Sequence, residues 1–239
     1  MKIISLVPSI TETLFDFGLS KHEIVGRTKF CIHPKKLVSD VAIIGGTKNL
    51  NIEKILALKP DLIIANKEEN EKLQVQELSK TCRVWVTDIK NIQDNENFLW
   101  EMGMVLKKRA LAEQFNKEIK SIFSNLINQE KKKIAYLIWQ NPMMSIGGDT
   151  FINNILEEIN FENILKHKTR YPEISLEEIA TAEFLFLSSE PFPFAEKHIE
   201  EFKSKLPSTK IILVDGEAFS WFGTRILQCE TYFKKLQNL

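Results

Sequence analysis

Short apolar runs alternate along the chain with stretches in which apolar residues recur every three or four positions. Six runs predict strands, at residues 2–7, 61–66, 83–87, 134–139, 184–188 and 211–214. Each is rich in Ile, Leu, Val or aromatic residues, as strands covered on both faces require. Helical patterns follow most of them, so the order predicts an α/β protein with mainly parallel sheets. Between about residues 93 and 129 the strand signals stop. Phe98, Leu99, Met102, Val105 and Leu106 mark one helix there, and Leu111, Phe115, Ile119, Ile122, Phe123 and Leu126 mark a second. The second, over residues 109–129, would be on the order of 30 Å long, enough to serve as a stiff connector between domains.

The two sides of this helical stretch echo each other. Asn51-Ile-Glu-Lys-Ile-Leu-Ala-Leu-Lys-Pro-Asp-Leu-Ile-Ile-Ala reads as a capped helix passing quickly into a strand. Ser175-Leu-Glu-Glu-Ile-Ala-Thr-Ala-Glu-Phe-Leu-Phe-Leu-Ser has the same arrangement, with a capping residue two places before a glutamate. The expected organisation is an N-terminal α/β lobe over residues 1–108, a connecting helix over 109–129 and a C-terminal α/β lobe over 130–239.

Composition adds exclusions. The chain has 239 residues, 44% hydrophobic and 27% charged, which is ordinary for a globular protein with room for two cores. Lys+Arg and Asp+Glu are both 32, and this balance argues against nucleic acid or an anionic membrane as the main partner. No stretch reaches membrane-spanning length. The opening Met1-Lys2-Ile3-Ile4-Ser5-Leu6-Val7-Pro8 has a short apolar run that Ser5 interrupts and Pro8 ends. A secretory leader needs a longer run and a small-residue cleavage site, so residues 3–7 are expected to form the first strand, in a processed or a cytoplasmic protein. Cys31, Cys82 and Cys229 are scattered and without CxxC spacing, which predicts isolated thiols.

Catalytic motifs are incomplete wherever they begin. Gly45-Gly46-Thr47-Lys48-Asn49 has neither the glycine spacing nor the hydroxyl residue of a phosphate loop, and predicts a turn. Met143-Met-Ser145-Ile-Gly147 lacks the first glycine of a nucleophile elbow. His22-Glu23 has no second histidine four residues on. No catalytic residue and no dedicated metal site are predicted.

Several segments together resemble the cobalamin and ferric-siderophore branch of ABC-importer substrate-binding proteins. They are Ile4-Ser-Leu-Val-Pro-Ser-Ile-Thr-Glu-Thr-Leu-Phe, the block from Asn51 to Ala65, Glu162-Asn-Ile-Leu, and Tyr171-Pro-Glu-Ile-Ser-Leu-Glu-Glu-Ile. The resemblance covers nearly the whole chain and keeps the order of blocks. It implies two Rossmann-like lobes joined by one long backbone helix, with a ligand held in the cleft between lobes. It further implies an extracytoplasmic monomer that delivers a corrinoid or related metal chelate to an ABC permease with its ATPase, and that holds no permanent cofactor. The competing readings are a ferric-siderophore, haem or free transition-metal binding protein, and a cytoplasmic corrinoid-handling protein or enzyme.

Candidate residues follow from the two lines together. Glu53 and Glu177 fall in first helical turns, where free N–H groups and the helix dipole stabilise a carboxylate. The resemblance implies that one such glutamate from each lobe pairs with permease arginines. Phe30, Trp139, Tyr171, Phe219 and Trp221 lie beside or beyond strand signals, and aromatic walls suit a large, partly flat ligand with apolar edges. The resemblance sets Phe30 and Tyr171 near ligand-lining positions, whereas Trp139 also reads as a core or interlobe residue. Asn66 stands where cobalamin carriers have a tryptophan, and Gly45-Gly46 lies near another such position. Arg27, Arg170 and Arg225 would suit an anionic siderophore or a propionate-bearing porphyrin, or simply face solvent. For a bare metal ion the candidates are Cys31, His33, His167, Asp215 and Glu217. His33 is also a candidate lower axial ligand to cobalt.

Overall fold

All six predicted strands form, and among the described residues two further ones accompany them. A computed structural model describes residues 1–126 and 130–239; residues 127–129 of the expected connecting helix lie outside the described residues. In chain order the elements are β1 (Ile3–Ser5), α1 (Pro8–Asp16), β2 (Ile24–Arg27), α2 (Lys35–Val38), α3 (Ile52–Ala57), β3 (Leu62–Asn66), α4 (Lys72–Ser79), β4 (Val84–Thr87), α5 (Ile92–Val105) and α6 (Arg109–Ser124). There follow β5 (Lys132–Leu137), α7 (Phe151–Glu158), β6 (Phe161–Asn163), α8 (Leu176–Ile179), β7 (Phe184–Ser188), α9 (Glu196–Lys205), β8 (Lys210–Val214), α10 (Gly216–Ser220), a 3-10 segment (Gly223–Gln228) and α11 (Glu230–Gln237).

The chain divides into two compact units. The first comprises Met1–Ile89, Asp94–Glu118 and Trp221–Gln228, and the second Lys90–Gln93, Ile119–Ser220 and Cys229–Leu239. One of the boundaries, between Glu118 and Ile119, falls inside α6, which at 16 residues is about 24 Å long.

The first unit is built on a parallel sheet in the order β2-β1-β3-β4, and the second on a parallel sheet in the order β6-β5-β7-β8. The two orders are the same pattern repeated. The echo between the α3–β3 and α8–β7 blocks therefore has a structural meaning, because each supplies the third strand of its sheet. The strands absent from the sequence reading, β2 and β6, are both edge strands. Ile24-Val-Gly-Arg and Phe161-Glu-Asn are short and partly polar, so they carry no apolar run to detect.

Central strands explain the core. In the first unit Ile3, Ile4, Leu6, Ile63 and Ile64 are fully buried with Ile10 and Leu14 of α1, Leu78 of α4, and Leu99 and Met102 of α5. Pro8 starts α1 where a missing N–H costs nothing. In the second unit Ala135, Leu137, Leu185 and Leu187 form one cluster with Leu165, Ile174, Ile179, Phe194, Phe202 and Leu206. Phe161, Phe184, Phe186 and Phe219 make an aromatic layer of edge and tilted contacts, with centroids 5.2 to 6.4 Å apart. Among the described residues no helix is long and apolar enough to cross a membrane.

Candidate functional site

In each sheet the chain leaves the second strand in order (β1 or β5) for one side and then returns to its other side (β3 or β7). That reversal is a topological switch point, and ligands of open α/β sheets bind beyond the carboxyl ends of the strands beside it. The loops after β1, β2 and β3 in the first unit, and after β5, β6 and β7 in the second, are therefore the surfaces to inspect.

In the first unit Asn70 ties three of these loops together. Its Oδ1 accepts from the Asn66 N–H at 2.9 Å, and its Nδ2 donates to the Leu6 and Thr47 carbonyls, both at 3.1 Å. Asn66 is buried, with its Nδ2 on Thr87 and its Oδ1 accepting from the Glu68 and Glu69 N–H groups. At this position the side chain shapes the loop from within and offers no wall. The Gly45–Asn49 segment is the predicted turn, closed by the Gly46 N–H on the Asn49 carbonyl at 2.9 Å. Phe30 packs over this turn, close to Gly46 and beneath the Lys29 ammonium at 5.0 Å, and remains 49% exposed. His33 is half-buried and meets Trp221 edge-on at 5.5 Å. Trp221 is itself buried beneath the Arg225 guanidinium, 4.7 Å from its ring centroid. Arg225 Nε lies 2.9 Å from Glu12 Oε2, and both side chains are nearly inaccessible.

In the second unit the segment from Met143 to Gly148 runs antiparallel to Lys168–Ile174. The Ser145 N–H donates to Pro172 O at 2.8 Å, Gly147 to Arg170 O at 2.7 Å, and Gly148 to Lys168 O at 2.9 Å. A Cβ at Gly147 would lie 2.5 Å from the Lys168 carbonyl, so the glycines here serve close backbone approach. This ladder joins the loop bearing Trp139 to the loop bearing Tyr171, through bridges of Met144 to Trp139 and Glu173. Trp139 is 41% exposed, with its indole N–H on the Asn141 carbonyl at 3.2 Å. Tyr171 is half-buried beside the Arg170 guanidinium, 5.7 Å from the ring centroid. Phe192, a residue with no strong sequence signal, backs Trp139 edge-on at 5.5 Å. The stretch Pro191-Phe-Pro-Phe194 is the trace it leaves in the sequence, a stiff aromatic loop.

Several expectations change. Phe219 is fully buried against Tyr136, Phe186 and Phe233 and belongs to the core, because α10 turns it inward. Arg27 is also buried and holds backbone, its Nε on the Val38 carbonyl at 2.8 Å and its Nη1 on Thr28 O at 3.2 Å. Cys31 is sealed from solvent between Thr11 and Thr28, and burial raises its thiol pKa. The side chains proposed for a bare ion do not gather. Among the described residues, no group of three or more His, Cys, Asp and Glu side chains is placed to hold a metal ion.

Glu53 and Glu177 occupy the same place in their own units. Each is the second helical residue, exposed, behind a cap whose side chain accepts a backbone N–H: Asn51 from Lys54 at 2.9 Å, and Ser175 from Glu178 at 3.2 Å. Backbone N–H at the head of α8, and then the Ser175 hydroxyl, hold the Glu177 carboxyl below its ordinary pKa.

The architecture has close counterparts. The chain is 22% identical over 195 residues to a vitamin B12-binding protein of Vibrio parahaemolyticus, covering 78% of this chain and 70% of that one. It is 27% identical over 195 residues to an uncharacterised ABC transporter substrate-binding lipoprotein of Bacillus subtilis, covering 74% and 60%. A solved periplasmic heme-binding protein from a Roseiflexus species superposes with a TM-score of 0.82 at 16% identity, over 99% of this chain and 98% of the other. The family model described as periplasmic binding protein matches residues 3–206, which take in both switch points and both capped glutamates. The chain thus belongs to the periplasmic binding protein family.

Proposed function

We propose that the protein is the substrate-binding component of an ABC importer, capturing a corrinoid or related metal chelate and handing it to a membrane permease with its ATPase. The observation that carries this reading is the repeated switch-point architecture with aromatic side chains at strand carboxyl ends: Phe30 and His33 in the first unit, Trp139 and Tyr171 in the second. Such rings present broad apolar faces to a flat macrocycle. The cations Lys29 and Arg170 beside two of them suit peripheral acidic groups or amide carbonyls. The vitamin B12-binding relative supports a corrinoid, and the heme-binding structural counterpart makes haem the second reading. Catalysis has no role in this proposal, because capture and release require only binding. The reading includes an extracytoplasmic location, supported by the periplasmic binding protein match and by the lipoprotein relative.

The deciding experiment is a titration of the purified chain with hydroxocobalamin, cobinamide, haemin, a ferric siderophore and zinc. A ligand that binds only the folded state raises the midpoint of thermal unfolding, by about 2.7 kcal/mol of added stability at a hundredfold excess over Kd. A corrinoid is expected to give the largest shift. A visible-band change with cobinamide that is lost in His33→Ala would assign His33 as axial ligand. Stabilisation by zinc alone, or by none of the five, would overturn the proposal.

A further inference from the structure

Helix α9 begins on Ala195, whose side chain has nothing to offer the exposed N–H groups of the first turn. His198, the third helical residue, reaches back instead, and its Nδ1 accepts the Ala195 N–H at 2.8 Å. The imidazole is 6% exposed and lies edge-on to two rings, Phe192 at 5.5 Å and Phe194 at 5.4 Å. Phe192 in turn meets Trp139 at 5.5 Å, and its N–H reaches the Ile138 carbonyl at 3.3 Å. One turn further along α9, Glu201 accepts from Gln140 Nε2 at 2.9 Å, and Gln140 directly follows Trp139. The same helix therefore grips both loops at the β5/β7 switch point, the β7 loop through His198 and the β5 loop through Glu201.

We infer that His198 is a positioning residue for ligand capture, fixing Phe192 and through it the exposed face of Trp139. The inference rests on the proposed function for its ligand but on local geometry for its mechanism. His198 has two separable parts, an acceptor and a ring. Gln at the third helical position keeps the reach to the cap N–H and has no ring. Phe keeps a ring of similar size and loses the acceptor.

The test uses the full chain, labelled with fluorotryptophan, with the Trp139 resonance assigned through Trp139→Phe. Fluorine NMR reports the setting of Trp139, while titrations with hydroxocobalamin and haemin report capture. His198→Gln is expected to lower the unfolding midpoint modestly, through the two lost ring contacts, and to move or broaden the Trp139 resonance. It should weaken chelate binding about two- to tenfold, the size of one lost edge-to-face contact. His198→Phe is expected to lower the unfolding midpoint through the lost cap while leaving the Trp139 shift closer to wild type. A Trp139 resonance unchanged in His198→Gln overturns the inference, as does a loss of affinity that merely tracks a loss of stability across both variants. If the wild type binds neither probe, it is the functional reading that fails, and the Trp139 resonance still decides the positioning.

Discussion

The Cys31 thiol has no solvent exposure and lies 3.0 Å from the Thr11 hydroxyl and 3.2 Å from that of Thr28. Burial outweighs both hydroxyls and pushes its pKa above the ordinary thiol value. The reactive species is the thiolate, so at mildly alkaline pH Cys31 stays protonated as well as hidden. Cys82, beside Thr81, is only half-buried and so lies within reach of a reagent. Iodoacetamide followed by peptide mass spectrometry is expected to modify Cys82 at least on the order of tenfold faster than Cys31, with Cys31 reacting at the rate of chain opening. Equal rates would mean that the β2 loop opens freely. Residue chemistry was only partly legible in the sequence, and the reason is direction. Phe30, Trp139 and Tyr171 do stand at strand ends with accessible or half-accessible rings. Phe219 also follows a strand, but α10 points it into the aromatic layer, and no local signal separates these cases. Asn66 shows the same limit from the polar side, since its inward turn depends on Thr87, twenty-one positions away.

Helices of six and four residues, α3 and α8, would be marginal alone. A side-chain cap is worth about 1 kcal/mol, and each helix has one; α8 completes a capping box through the Glu178 carboxylate on the Ser175 N–H at 2.9 Å. Capping is local chemistry, which is why this part of the fold and the placement of Glu53 and Glu177 could be read from spacing. The edge strands β2 and β6 could not, because they owe their form to β1 and β5 rather than to their own residues. The short caps also leave both glutamates exposed at a helix head and fixed in position. If they meet permease arginines, reversing them sets like charges together, which costs several kcal/mol. Glu53→Arg and Glu177→Arg are each expected to lower transport at least about tenfold in vesicles carrying the permease and its ATPase, with chelate affinity within about twofold of wild type. Transport at the wild-type rate in the double variant would remove both residues from docking.

At the scale of the whole molecule, the repeated strand order hides an asymmetry in how the chain is shared. The first unit is not finished by its own N-terminal stretch, since residues Trp221–Gln228 return to it after the second sheet has been built. This short segment is tightly engaged. The Gly223 N–H donates to Asn95 Oδ1 at 2.5 Å, and the Thr224 N–H to Thr13 Oγ1 at 3.2 Å. Gly223 has φ +84, and a Cβ there would collide with Thr13, so the segment fits only with glycine at its hinge. Phe222 meets Phe98 edge-on at 5.5 Å, and Arg225 meets the buried carboxylate of Glu12. Without the segment, Glu12 would lose its cation together with the chain that packs over α1, and Phe98 would lose one of its aromatic neighbours. A domain of ordinary stability, at about 5–15 kcal/mol, has little left after both. A fragment of residues 1–118 is therefore expected to show no cooperative urea transition and poor dispersion of amide proton resonances. Adding a peptide of residues 221–228 through a flexible linker should restore both, and Arg225→Leu in that linked fragment should not. A sigmoidal transition in the unlinked fragment would show that the returning segment decorates the first unit instead of completing it.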